Sequence, residues 1–403
     1  RERFMSNASI KEESHQYILN TYGEREIAIV RGEGCYVFDD DGKRYMDFLG
    51  GLGVTCLGHA HPKIVETITH QAKTLLHVSN LYYIEPQKRA AKLLVDNTFA
   101  DKVFFCNSGA EANEGVFKLI RKYVKDKVDP VRTDIIVFED SFHGRTLATI
   151  SATGQPRYHE GFEPLMPGFK HVPFNDLEAV RGAIDDKTAG IWVEPIQGEG
   201  GINMPEEGFL SGLRELADEH QLVLGFDEVH TGCGRTGSFM AYQTFGVEPD
   251  VIALAKSLGG GVPIGAFITK NKFAEALGPG THAATFGGNP LATAVSATVL
   301  ETILEEKLAE NARDVGQYFA DEMLKLRERF SFIKGIRGKG LILGIQFNIE
   351  DAAPLAAEVI GRGLLTYAMG NKTLRFHPPL NITRENVDEA VEILAEGIEA
   401  ATS

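Results

Sequence analysis

Short apolar runs ending in charged or small polar residues recur along this chain and alternate with longer amphipathic stretches. The runs at 102–106, 135–138, 190–195, 222–226 and 251–255 carry apolar residues at consecutive positions, so each reads as a strand covered on both faces. After the first, the spacing of Ala112, Val116, Leu119, Ile120 and Tyr123 draws one face of a helix. Alternation of this kind from about residue 50 to 285 predicts a mainly parallel sheet with helices packed on it and its functional side chains at the carboxyl ends of the strands.

Outside that region the pattern changes. Residues 6–22 read as a surface helix, and GEGCYVFDDDGKRYMDFLGG as a hairpin turning at 40–42. Residues 64–99 are helical in pattern, as are 290–306 and the stretch on to 330. RGKGLILGIQF predicts one strand entering a smaller α+β domain that closes with a helix after Thr383. Its GKGLILG run resembles a dinucleotide fingerprint but lacks both the GxGxxG spacing and the following helix. The expected division is 1–49 as an N-terminal segment packing with the small domain, 50–285 as the large domain and 286–403 as the small one. Residues 1–5 read as an addition or an alternative start.

The chemistry concentrates in LVLGFDEVHTGCGRTG and LAKSLGGGVPIGA, where one apolar run delivers Asp227 and Glu228 and the next delivers Lys256 ahead of three glycines. Asp and Lys are rarely buried without partners. Taken singly, Lys256 reads as a strand end snorkelling to water and Asp227 as a strand-end cap. Together they suit pyridoxal phosphate, whose aldehyde needs a lysine amine and whose pyridine nitrogen stays protonated only beside an anion. A second feature is NSGAEA at 107–112, a strand followed by a Ser-Gly turn and a helix start. Free N–H groups and the helix dipole favour a phosphate there, although such turns also serve simply as caps.

Composition narrows the class. At 403 residues, with 43% hydrophobic and 24% charged residues, the chain is long enough for two domains with sizeable cores. A formal charge of −15 argues against nucleic acid and anionic membranes as partners. No apolar run approaches membrane-spanning length, and RERFMSNASIKEESHQ has no signal-peptide core, so the expectation is a cytoplasmic protein. Cys35, Cys56, Cys106 and Cys233 lie far apart without CxxC spacing, which predicts reduced, packed thiols rather than disulfides or a metal site.

These motifs are similar to the DEVxxGxGRTG and LAKxLGGGxPIGA signatures of class III aminotransferases, in the form closest to the acetylornithine and succinylornithine enzymes, and the resemblance runs through nearly the whole chain. It implies the type I fold of pyridoxal-phosphate enzymes and a homodimer with its active sites at the interface. It further implies Lys256 as the Schiff-base lysine, Asp227 as partner of the ring nitrogen, and Ser108, Gly109 and Ala110 as the phosphate loop. Phe142 would lie against the pyridine ring, Val229 and His230 would bind the cofactor, and Thr285 would reach the phosphate of the neighbouring subunit's cofactor. For the substrate, the resemblance implies Tyr22 over the entrance and Arg145, in EDSFHGR, clamping a remote carboxylate with its planar fork. Glu199, in GIWVEPIQGEGG, would pair with Arg375, in TLRFHPPL, as a switch between the two half-reactions. Glu194, before it, could be no more than a structural partner.

Departures from the pattern are Thr55 where asparagine is frequent, Ala283 and Ala284 where small polar residues are usual, and His230 in place of a glutamine that donates to the cofactor's phenolic oxygen. An imidazole can make the same donation; a pH-sensing role is the alternative. The resemblance implies an N-acetylornithine 5-aminotransferase of arginine biosynthesis using 2-oxoglutarate. Succinylornithine, ornithine and 4-aminobutyrate aminotransferases remain open, as does a cofactor-binding protein without turnover.

Overall fold

Strands buried at every position can only sit in the middle of a layered domain, and β7 (Thr188–Val193) and β8 (Val223–Asp227) are of that kind. The structure, a computed structural model, describes residues 7–369 and 372–402; the expectation for residues 1–5 lies outside them. Three sheets organise the described residues. Near the N-terminus β1 (Ile29–Glu33), β2 (Tyr36–Asp39) and β3 (Arg44–Asp47) form an antiparallel meander. The central sheet adds β4 (Lys102–Cys106), β5 (Asp134–Phe138), β6 (Phe169–Val172), β9 (Val251–Leu254) and β10 (Gly265–Thr269) to β7 and β8, in the order β4-β10-β9-β8-β7-β5-β6. Here β6, β5, β7, β8 and β9 run parallel, whereas β10 is antiparallel to both β9 and β4. That reversal has a length cause: the link 255–264 holds only a short 3₁₀ turn, too little chain for a crossover to a parallel neighbour. This is the mainly parallel sheet that the alternation of strands and helices predicts.

The third sheet follows from β11 (Ile333–Lys339) and β12 (Ile342–Phe347), with β14 (Tyr367–Met369) and β15 (Thr373–Phe376), in the order β11-β12-β15-β14. RGKGLILGIQF is therefore a hairpin, not one strand. Its turn needs Gly340, at φ 59°, where a Cβ would lie 2.4 Å from the carbonyl oxygen of Arg235. The apolar alternation marks only β12; β11 is half-buried and carries Lys and Arg, which hides it from pattern reading. The helical pattern of 64–99 is likewise two helices, Pro62–Thr74 and Glu85–Asp96, parted by 75–84. At the N-terminus the surface helix spans Asn7–Tyr17, shorter than 6–22, of which residue 6 lies outside the described residues.

The two ends of the chain meet through β13 (Leu364–Leu365), which pairs in parallel with β3. Phe319 reinforces that junction. Fully buried, it sits edge-on to Phe48, just after β3, at 5.5 Å and against Phe376 of β15 at 5.4 Å. All four cysteines are buried free thiols. Truncating Phe319 should empty a space that three elements share, so Phe319→Ala is expected to lower stability by about 3–5 kcal/mol in chemical denaturation. A loss below about 1 kcal/mol would show that the junction does not depend on this ring.

Candidate active site

Five strand ends converge on a cavity of about 360 Å³. At the end of β4, Ser108 caps the helix Gly109–Lys127: its hydroxyl accepts from the Glu111 N–H at 3.1 Å, and Glu111 reaches back to the Asn107 N–H at 2.6 Å. Gly109 and Ala110, whose first-turn N–H groups have no intrahelical acceptor, line the cavity. Only glycine fits at 109, because a Cβ there would stand 2.9 Å from the Val229 side chain. The site thus combines an anion-binding helix start with a close-packed apolar wall.

Asp227 closes β8 and is buried. Its Oδ2 accepts from Asn113 Nδ2 and meets His143 Nδ1, both at 2.8 Å, while Oδ1 accepts from the Val229 N–H at 3.1 Å. Asn113 also donates to the His143 carbonyl at 2.7 Å, so helix, carboxylate and the loop after β5 form one unit. Glu194, after β7, accepts from the N–H groups of Phe142 at 2.9 Å and Gly198 at 3.2 Å. Burial pushes its carboxyl well above the usual carboxylate range, and the charge of Asp227 adds to this. Glu228 faces elsewhere. It takes the N–H groups of Ala241 and Tyr242 at 2.6 and 2.8 Å, and burial raises it to about 7, which gives it a structural task.

Lys256 opens onto the same cavity from the end of β9 at φ 47°, a left-handed conformation that costs a non-glycine residue and clusters at working sites. Burial holds its amine below the ordinary lysine value. Glu199 lines the same cavity and acts on the charge of Lys256. Arg375 Nη1 donates to Glu199 Oε1 at 2.7 Å, with the arginine almost fully buried. Burial works against the charged form of Glu199, but Arg375 and Lys256 outweigh it and hold the carboxyl below its usual range. His230 completes the wall and is buried; desolvation, then the charge of Lys256, keeps its imidazole well below the ordinary histidine value. Both influences favour the neutral imidazole.

Four of the residues anticipated from sequence are not part of this cavity wall: Arg375, which stands behind it on Glu199, and Arg145, Tyr22 and Thr285. Arg145 is exposed, its guanidinium 3.9 Å from the Tyr158 ring and 5.6 Å from that of Phe142, which does line the cavity. Tyr22 lies on the surface. Thr285 is exposed and lines a separate cavity of about 910 Å³ with Ser79, Asn80 and Tyr83. Conversely, Asn113 and His143 escaped sequence reading. Their signal was present but faint: Asn113 is a polar residue on the apolar face of its helix, and His143 stands inside EDSFHGR.

An amine, an oppositely placed and firmly oriented carboxylate, an aromatic wall at Phe142 and an anion-binding helix start are the four demands of pyridoxal phosphate, and the residues fit it. The profile described as "Aminotransferase class-III" matches residues 18–398. The chain belongs to the class-III aminotransferases. It is 47% identical over 381 residues to the acetylornithine aminotransferase of Methanocaldococcus jannaschii, covering 94% of this chain and 96% of that one. It is 44% identical to the succinylornithine transaminase of Salmonella typhimurium, covering 97% of each. Among solved structures, the ornithine aminotransferase of Toxoplasma gondii superposes with a TM-score of 0.94 at 32% identity, over 99% of this chain and 96% of that chain. This class-III enzyme is thus a pyridoxal-phosphate-dependent aminotransferase of the type I fold.

If Lys256 is the amine that holds the cofactor, Lys256→Ala should abolish transamination and let the cofactor be stripped by gel filtration. Normal turnover by that variant would remove the residue from the site.

Proposed function

We propose that this aminotransferase moves the terminal amine of N-acetylornithine to 2-oxoglutarate, giving N-acetylglutamate 5-semialdehyde and glutamate. The observation that carries the reading is the Glu199–Arg375 pair, 2.7 Å long, whose acid lines the cavity that Lys256 enters. While the pair is closed, Arg375 is neutralised and an uncharged, amine-bearing carbon can approach Lys256. When Glu199 moves away, the arginine fork is free for the α-carboxylate of the acceptor. Arg145 supplies a second cation for the remote carboxylate of the donor. The relatives named for acetylornithine support this choice of donor.

When bound, pyridoxal phosphate supplies an aldehyde that takes up the amine and an electron-poor ring that stabilises the electron pair left on the substrate carbon. Lys256 Nζ would hold the aldehyde and, once released, move the proton of the amine-bearing carbon; its depressed basicity makes the neutral amine available for that task. Asp227, pinned by Asn113, His143 and Val229, would sit against the ring nitrogen, with Phe142 and Val229 on the faces of the ring. Ser108, Gly109 and Ala110 would hold the phosphate. His230 would donate to the ring oxygen.

Thr285 would reach the site from a second copy. The exposed Leu81, Tyr82, Tyr83 and Phe286 around it support a homodimer, since apolar surface of this extent calls for a partner. Among the described residues no helix is long and apolar enough to cross a membrane. With four buried free thiols and an acidic chain, we place the enzyme in the cytoplasm.

Bleaching of the bound cofactor's absorbance by a panel of donors tests the substrate. Acetylornithine should outpace succinylornithine, ornithine and 4-aminobutyrate, with recovery on adding 2-oxoglutarate; a faster reaction with any of the other three would reassign the donor. For the gate, Glu199→Ala should raise glutamate reactivity relative to acetylornithine by roughly tenfold to a hundredfold, the worth of about 1–3 kcal/mol in a charged pair. An unchanged ratio of the two half-reactions would rule the gate out.

A further inference from the structure

Two imidazoles lie ring to ring beside the Glu199–Arg375 pair. The centroids of His230 and His377 are 4.5 Å apart with the planes at 48°, and both residues are buried. Nε2 of His230 and both ring nitrogens of His377 meet no hydrogen-bonding group of the protein. An unmet buried nitrogen costs about 1–3 kcal/mol, and proteins satisfy such atoms with internal water when no side chain is in reach. A fourth orphan, Thr55 Oγ1, belongs to the same neighbourhood: a Cβ on Gly50 would stand 3.4 Å from it and 2.7 Å from the His377 carbonyl oxygen.

The ring of His230 is wedged from two sides. A Cβ on Gly198 would come within 2.1 Å of Nδ1, and one on Gly53 would stand 3.4 Å from Nε2 and 3.7 Å from the His377 Cβ. His230 therefore touches the residue before Glu199, and His377 lies two positions after Arg375 on the same chain segment. Around both rings stand Lys256, Arg375 and Arg235; burial first, then these charges, hold both imidazoles far below the ordinary histidine value. A neutral imidazole has one donor and one acceptor nitrogen. Which nitrogen of His230 donates is decided by what its other nitrogen meets.

We propose that His377 is a positioning residue: through a bound water shared with His230 Nε2 it fixes the plane and tautomer of His230, and so the direction in which His230 offers its N–H to the cofactor's ring oxygen. This rests on the reading that His230 faces the cofactor. In protein carrying ¹⁵N-labelled histidine, His230 should show a single neutral tautomer between roughly pH 6 and 8, with and without cofactor. His377→Phe keeps the ring volume and removes both nitrogens. It should shift the His230 ¹⁵N signals towards a mixture of tautomers and raise the midpoint of the bound cofactor's spectral titration by roughly half a pH unit, in the same direction as His230→Phe. His377→Gln, which can still hold a water, should restore both readouts. Unchanged His230 signals in His377→Phe would overturn the proposal. Should that variant not fold, tautomer-averaged His230 signals in the wild type would overturn it equally. If His230→Phe moves the midpoint and His377→Phe does not, the positioning role fails alone. If His230→Phe leaves the midpoint where it was, the assignment of His230 to the cofactor fails with it.

Discussion

A carboxylate buried at the end of a strand has to be met by donors, and the way Asp227 is met governs the architecture around it. Its two oxygens take contacts from Asn113 on the first helix after β4, from His143 in the loop after β5 and from the backbone of Val229. Each comes from a different part of the central sheet, so β4, β5 and β8 cannot shift independently without leaving a charge unmatched, at a cost of several kcal/mol. Glu194 adds a second tie between the loop after β5 and its own, through Phe142 and Gly198. Burial, and then the charge of Asp227, favour a protonated Glu194.

The Glu199–Arg375 pair does for the two sheets what Asp227 does for the strand ends. Glu199 follows β7 of the central sheet, and Arg375 belongs to β15 of the C-terminal sheet. The arginine is almost fully buried and the glutamate is about one-fifth exposed. That asymmetry matters. An arginine that is enclosed and a glutamate that reaches water suit the gate proposed above, in which the acid would move and the cation would stay. Arg235 belongs to the same frame, since it is buried and donates to the carbonyl oxygens of Leu341 and Pro378, holding the turn of the β11–β12 hairpin and the segment after His377 to the loop beyond β8.

Much of this was legible in the sequence because the strands that carry the chemistry are apolar throughout and end abruptly in charge. Asp227, Lys256, Glu194 and the Ser108 turn stand where such patterns stop. The pairing of Glu199 with Arg375 was not legible from pattern, since 176 positions separate them; it entered through family resemblance alone. Asn113, His143 and His377 were missed. Asn113 sits on the apolar face of its helix and His377 in an apolar run, where a periodicity count treats them as noise, while His143 stands in a polar loop that reads as solvated; the setting of each is supplied only by tertiary folding. The β11–β12 hairpin was lost because its first strand is half-exposed, so the period of two that betrays a strand is blurred by long charged side chains.

Net charge and local field point in opposite directions here. With a formal charge of −15, the chain as a whole repels anions. Yet Lys256 lines the cavity, Arg375 and Arg235 act with it on His230 in the cavity wall, and Arg145 is within electrostatic reach of Glu199. At physiological ionic strength, charges on the far surface are screened beyond about 8 Å, whereas charges in a poorly hydrated pocket are not. The local cluster therefore decides what enters. The carboxylate-bearing substrates proposed above would be drawn by the last few ångströms of the approach rather than steered from a distance, so their capture should depend weakly on salt.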